Sequence, residues 1–201
     1  MDTSPVRDYL QRVQETLPKL DMGKISALLD LLMKTYKAGG TIYIFGNAGS
    51  GATASHVCGD FIKGISYGLA KRFKMMCLND NLTALMAIAN DNSYDDIFVE
   101  QLMNFLGEKD LVIGISGSGN SKNVVKALEY ANGVGAKTVA FCGYTGGKIK
   151  DTATLAIHVP VMDMEISESV HMMIFHSVKQ TLMKELGHSF KMGTQYDARV
   201  M

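Results

Sequence analysis

His56 and Asp60 stand four residues apart within Ala52 to Ile62, a stretch of helical apolar spacing, so their side chains lie about 40° apart around one axis. An imidazole and a carboxylate placed this way can move protons at one bound atom or hold one metal ion. The same spacing also serves as an ordinary local stabiliser on a helix surface. A second set lies near the C-terminus, where Glu165, Glu168, His171 and His176 fall within a helical pattern from about Glu165 to Leu186. Glu168 and His176 are about 80° apart on that helix, so one face can present both, while His171 projects about 140° away from His176 and needs a separate role.

A third group differs in kind. Ser116-Gly-Ser-Gly-Asn-Ser121 offers three hydroxyls, backbone N–H groups without obstructing side chains, and the positive end of the helix that follows. Such a loop can cradle a phosphate, or it can be a glycine turn with a serine N-cap. Its place after a strand favours binding, because open α/β sheets hold ligands at the carboxyl edge. Nucleotide binding is disfavoured by particular residues. In Gly46 to Thr53, Ala52 stands where a phosphate-binding Walker loop needs lysine. Gly114 to Gly119 matches the dinucleotide glycine pattern only loosely and lacks a defensible acidic partner for a ribose.

The elements that must position these groups are legible from periodicity. Val6 to Leu17 and Ile25 to Tyr36 are amphipathic helices, the second ended by Gly39-Gly40. Thr41 to Phe45 reads as a strand, Gly46 to Gly51 as a glycine-rich turn, and Ala52 to Ile62 as a helix. The same unit recurs as strand Asp110 to Ile115, the serine loop, and a helix to about Asn132. Further strands are expected at Phe73 to Leu78, Thr138 to Cys142 and Thr154 to Val159, with helices at Asn81 to Ala89 and Tyr94 to Phe105. This alternation predicts an α/β fold whose parallel sheet is covered on both faces. The boundaries read as an N-terminal helical segment at 1–40, the α/β unit at 41–187 and a tail at 188–201, all in one structural domain.

Composition narrows the partners. The 201 residues include 47% hydrophobic and 20% charged side chains, and 20 basic residues balance 20 acidic ones. A net charge of zero argues against an electrostatic nucleic-acid binder and for a small molecule or another subunit. Charged residues interrupt Met1 to Leu20, and no run of about 18 apolar residues occurs, so a membrane role is not expected and a cytoplasmic location is. Cys58, Cys77 and Cys142 are odd in number and set among apolar neighbours, which reads as buried reduced thiols.

Gly46-Asn47-Ala48-Gly49-Ser50, Ala89-Asn90-Asp91-Asn92, the serine loop and the Gly143 to Gly147 turn occur in the order found in the phosphoheptose isomerases of the SIS (sugar isomerase) family, which the chain resembles over nearly its whole length. The resemblance implies a flavodoxin-like sheet, N-terminal helices used in a homotetramer, and Ser116, Ser118 and Ser121 as phosphate ligands. It extends the substrate site to Asn47, Gly49, Ser50, Asn90, Asp91 and Glu168. His56 and Asp60 match the family's His-x-x-x-Glu, and Glu168-Ser-Val-His171 with His176 matches Gln-Glu-x-His with a second histidine five positions on. By that match Asp60 and His176 are the proton-transfer pair, and His56, Asp60, Glu168 and His176 are the ligands of a possible zinc ion, with no nucleotide cofactor.

Three departures accompany the match. Asp60 is one methylene shorter than the family's glutamate, Glu168 replaces a neutral amide, and Gly64 stands where the family usually carries arginine. The activity implied is interconversion of sedoheptulose 7-phosphate and D-glycero-D-manno-heptose 7-phosphate through an enediol, towards ADP- or GDP-heptose precursors. The alternative is a non-catalytic SIS module, either a sugar-phosphate binder or an assembly protein like the relative that binds a replication initiator.

Overall fold

A computed structural model describes residues 1–187; the expected tail at 188–201 lies outside the described residues. Helix α1 (Ser4–Thr16) starts with Pro5 in its first turn, where a missing N–H costs nothing. Helix α2 (Met22–Ala38) is capped by Asp21, whose carboxylate accepts from the Lys24 N–H, and ends at Gly39 in the left-handed region with φ 73°.

Five strands follow, β1 (Thr41–Gly46), β2 (Lys74–Cys77), β3 (Leu111–Ser116), β4 (Lys137–Cys142) and β5 (Leu155–His158). All pair in parallel in the order β2-β1-β3-β4-β5, the flavodoxin-like order. The helices between them are α3 (Ala48–Gly59), α4 (Leu82–Asp91), α5 (Val99–Met103), α6 (Lys122–Val134), α7 (Gly147–Thr152) and α8 (Met164–Glu185).

Strand side chains alternate between two cores, as a period of two requires. Ile42, Ile44, Ile113, Ile115 and Phe141 join α2, α3 and α8 on one face. Tyr43, Phe45, Val112, Ala140 and Cys142 meet α5 and α6 on the other. β3 is buried along its whole length, which is why it reads as a continuous apolar run.

All five expected strands are present. The differences lie in the helices. The helix expected at 52–62 begins earlier, at Ala48, and after Gly59 widens into a π-helical turn over Asp60–Ile65. The helix expected at 94–105 is two pieces, a 3₁₀ turn at Tyr94–Asp96 and then α5, because Ser93 accepts from the Asp95 N–H and fixes a separate start. The glycine turn after β4 holds the short helix α7, whose six residues are too few to show a period. The three cysteines are free and buried, and burial raises the thiols of Cys77 to about 12 and Cys142 to about 11.

Candidate active site

The sheet order reverses between β1 and β3, and the crevice at their carboxyl ends is where such a fold binds ligands. Two loops meet there. Asn47 begins α3 and Asn123 lies in the first turn of α6, and they exchange amide hydrogen bonds in both directions at 3.0 Å. The Tyr94 hydroxyl donates to the Asn47 amide oxygen at 2.9 Å, so a third element braces the same point. Asn47, Ala48, Asn79 and Tyr94 line a cleft of about 210 Å³ here. Asn123 and Tyr94 were not singled out by sequence, and a lone asparagine or tyrosine carries no spacing signal.

The serine loop brings two of its hydroxyls together. Ser121 occupies the N-cap position of α6, yet its side chain makes no capping bond. It pairs instead with Ser116, Oγ to Oγ at 3.1 Å. Ser118 Oγ accepts from the Asn120 N–H at 3.3 Å. An ordinary serine cap would spend the hydroxyl on the helix; here it remains beside a second hydroxyl at the helix N-terminus, where an anion is favoured. Gly119 has φ 70°, and a Cβ there would fall 1.9 Å from the Gly146 carbonyl oxygen, so glycine is what lets the two turns touch.

Helix α8 reaches these loops through further glycines. Cβ atoms built at Gly49, Gly117 and Gly143 would collide with Glu168, Met164 and Ser167 respectively. The first turns of α8 are therefore seated against all three loops. Glu168 lies with its carboxylate against Gly49, at the N-terminal end of α3. Ser50 is buried in the same turn, whereas Asn90 and Asp91 are exposed at the end of α4 and bond to each other at 2.7 Å.

Farther along α3 and α8 the two helices bring together His56, Asp60 and His176. The His56 and His176 Nε2 atoms are 3.1 Å apart, and Asp60 Oδ2 is 3.5 Å from the first and 3.8 Å from the second. Both imidazoles are about half exposed, whereas Asp60 is mostly covered. Glu168 is not in this cluster of ligand atoms, which lie within 4.8 Å of one another. The helical projection that put Glu168 and His176 on one face omits the axis: eight residues at 1.5 Å each separate them by about 12 Å. A tetrahedral ion at 2.0–2.1 Å from its ligands sets those ligands about 3.3 Å apart, so the trio fits zinc with a fourth position open.

His171 turns inward, as its angle required. It is buried on α8 with its ring edge-on to Phe141, and neither ring nitrogen has a hydrogen-bond partner. Burial lowers it to about 4, so it is a neutral core residue.

The SIS domain family matches residues 6–143. A phosphoheptose isomerase of Thermodesulfovibrio yellowstonii is 36% identical over 173 residues, 82% of each chain. One from Chlorobium limicola is 36% identical over 183 residues, 90% of this chain and 86% of that one. This chain belongs to the SIS domain family, among its phosphoheptose isomerases. A phosphoheptose isomerase structure from Francisella tularensis overlays with a TM-score of 0.81, covering 90% of this chain and 98% of that one at 21% identity, which speaks to the fold.

As an SIS isomerase, the chain has a basic neighbour at its acidic residue that sequence reasoning missed. Lys179 Nζ donates to Asp60 Oδ1 at 2.5 Å. A lysine one turn beyond His176 reads as part of a solvated helix face, and only the glycine at position 64 hints that a side chain from elsewhere is accommodated. Among the described residues, no helix is long and apolar enough to cross a membrane.

Proposed function

We propose that this isomerase interconverts sedoheptulose 7-phosphate and D-glycero-D-manno-heptose 7-phosphate by proton transfer between C1 and C2. The observation that carries the reading is the convergence of Asp60 and His176 from two helical stretches, with His56 beside them, in a chain whose serine loop holds Ser116 and Ser121 hydroxyls together at the start of α6. Ser116, Ser118 and Ser121 hold the phosphate, with Asn47, Gly49 and Ser50 of the neighbouring turn lining the sugar path. Eight residues of α3 separate Ala48 from His56, about 12 Å. That span suits a substrate whose phosphate and reactive carbons are several bonds apart. Asn90, Asp91 and Glu168 belong to the rim of this path.

In the reaction Asp60 Oδ2 removes the C1 proton of the open-chain ketose and returns it to C2 of the enediol. His176 carries the hydroxyl proton between the two oxygens, which keeps the intermediate neutral. Each such transfer contributes roughly 10²- to 10⁴-fold when the group is within hydrogen-bond reach. His56, Asp60 and His176 are also the residues that would hold a zinc ion, which when bound supplies a Lewis acid for the substrate oxygens.

Assembly belongs to the same reading. His56 and His176 are about half exposed, and Ile62 and Met173 are exposed on the same two helical stretches. A homotetramer built through the N-terminal helices would cover this open face and exclude water from the enediol.

Purified protein incubated with sedoheptulose 7-phosphate in deuterated water should form the aldose and incorporate deuterium at C1 or C2. Absence of both, with zinc present or removed, overturns the isomerisation and leaves a sugar-phosphate-binding module.

A further inference from the structure

The two oxygens of Asp60 have different company. Oδ2 faces the Nε2 atoms of His56 and His176, while Oδ1 accepts from the Lys179 ammonium. Lys179 stands on α8 one turn past His176 and is only 13% exposed, unusual for a lysine near a helix surface. Its chain crosses directly over Gly64 in the π-helical turn that begins at Asp60. A Cβ at position 64 would lie 2.9 Å from Lys179 Cε, 3.1 Å from its Nζ and 3.8 Å from Asp60 Oδ1. The lysine thus fills the space that a side chain at 64 would take.

An aspartate carboxylate turns easily about its last torsion, which is broad and nearly two-fold. Left alone, Asp60 would present either oxygen, or both, at varying angles to the histidines. Pinning Oδ1 from the opposite helix removes that freedom and leaves Oδ2 aimed between His56 and His176.

We propose that Lys179 is a positioning residue that holds Asp60 with Oδ2 towards the two histidines, and that the missing side chain at Gly64 is what admits it. The proposal rests on the isomerase reading for its catalytic consequence, but the carboxylate geometry it describes has a readout independent of turnover.

The test uses the full chain as Lys179→Ala, Lys179→Arg and the double variant Lys179→Ala with Gly64→Lys, which returns an ammonium from the other helix. Turnover of sedoheptulose 7-phosphate and zinc affinity by chelator competition are both measured. Loss of orientation in Lys179→Ala should lower kcat about 10- to 100-fold with KM within about threefold, because the carboxylate acts in the transition state. Its zinc affinity should fall roughly tenfold or more, as for other lost partners of a ligating carboxylate. Lys179→Arg should retain kcat within about fivefold, and the double variant should regain about tenfold over Lys179→Ala. Should Lys179→Ala fold poorly, Lys179→Met keeps the packed stem and carries the same expectation.

A kcat within twofold of wild type, or a raised KM at unchanged kcat, overturns the proposal, the second outcome making Lys179 a substrate ligand. Failure of both rescues does so as well. A wild type without turnover overturns the isomerase reading instead. Zinc affinity then decides Lys179 alone: a fall in Lys179→Ala sustains positioning, while equal affinity or no zinc binding by the wild type overturns it.

Discussion

At the scale of single residues, Asp60 and His171 show what surroundings do to similar chemistry. Asp60 reaches two imidazoles through Oδ2 while Oδ1 accepts from Lys179, so under the proposed mechanism an amide in its place removes the base and weakens the lysine contact. Asp60→Asn should lower kcat by about 10²- to 10⁴-fold with KM changed less than about threefold, checked by steady-state assay of the heptulose phosphate. His171, sealed in the core without a hydrogen-bond partner, has the opposite role. Its folded-state value of about 4 lies below the 6.5 of an unfolded histidine, so protonation favours the unfolded chain. Stability from this group is fully present above about pH 6.5 and is lost as pH falls towards 4, by roughly 3 kcal/mol in all. Urea unfolding at pH 7, 5.5 and 4 should show a smaller loss in His171→Leu than in wild type. The family resemblance brought His176 to His56 and Asp60; sequence spacing put His56 and Asp60 on one helical face because angle around a helix depends only on residue count. It misplaced Glu168 for the same reason, since a projection carries no axial distance. Lys179 was illegible because its partner lies 119 positions away in the chain.

At the scale of elements, α8 is held by what three loops lack. Gly49, Gly117 and Gly143 leave room for its first turns, but the atoms facing them differ in how far they can yield. A Cβ at Gly49 would meet the mobile end of Glu168, whereas one at Gly143 would lie 2.2 Å from Ser167 Oγ and 2.7 Å from its Cβ. Gly143→Ala should therefore force α8 away from β4 and cost about 1–3 kcal/mol, while Gly49→Ala should cost less than about 1 kcal/mol, as read from denaturant midpoints. The first residue of α3 is the converse case, because Ala48 sits at φ 46° with a side chain that the left-handed region disfavours. Ala48→Gly should raise stability by about 0.5–1 kcal/mol. β1, β3 and β4 were readable because burial on both faces makes each a short apolar run between turns. The π-helical turn was not, since Asp60 to Ile65 differs from α-helix in backbone hydrogen bonding and not in side-chain pattern. That turn carries the acidic residue of the site, consistent with the habit of π-bulges to lie at functional positions.

At the scale of the whole molecule, the apolar surface is unevenly distributed. α1 is fastened to α8 by its inner side: Arg12 pairs with Asp163, and the Tyr9 hydroxyl meets Ser169 Oγ at 2.9 Å. Val13 and Thr16 are buried towards the end of the helix, while Val6 and Leu10, on the same stripe as Val13 but earlier in the helix, stay exposed. α4 buries none of its residues and leaves Leu82 and Met86 exposed. Scattered exposed leucines need no explanation, but paired stripes on two helices are what a symmetric assembly would bury. Light scattering should then give about 88 kDa, four chains of 21.9 kDa. Val6→Glu with Leu10→Glu should shift the population to smaller species, because each buried glutamate would lack a partner across the interface. If the same variant keeps its far-ultraviolet dichroism but loses turnover in step with the loss of tetramer, the open face carrying His56 and His176 depends on a neighbouring chain for its cover. A fully active monomer would show instead that the trio on α3 and α8 works uncovered, and the exposed stripes would need a different partner.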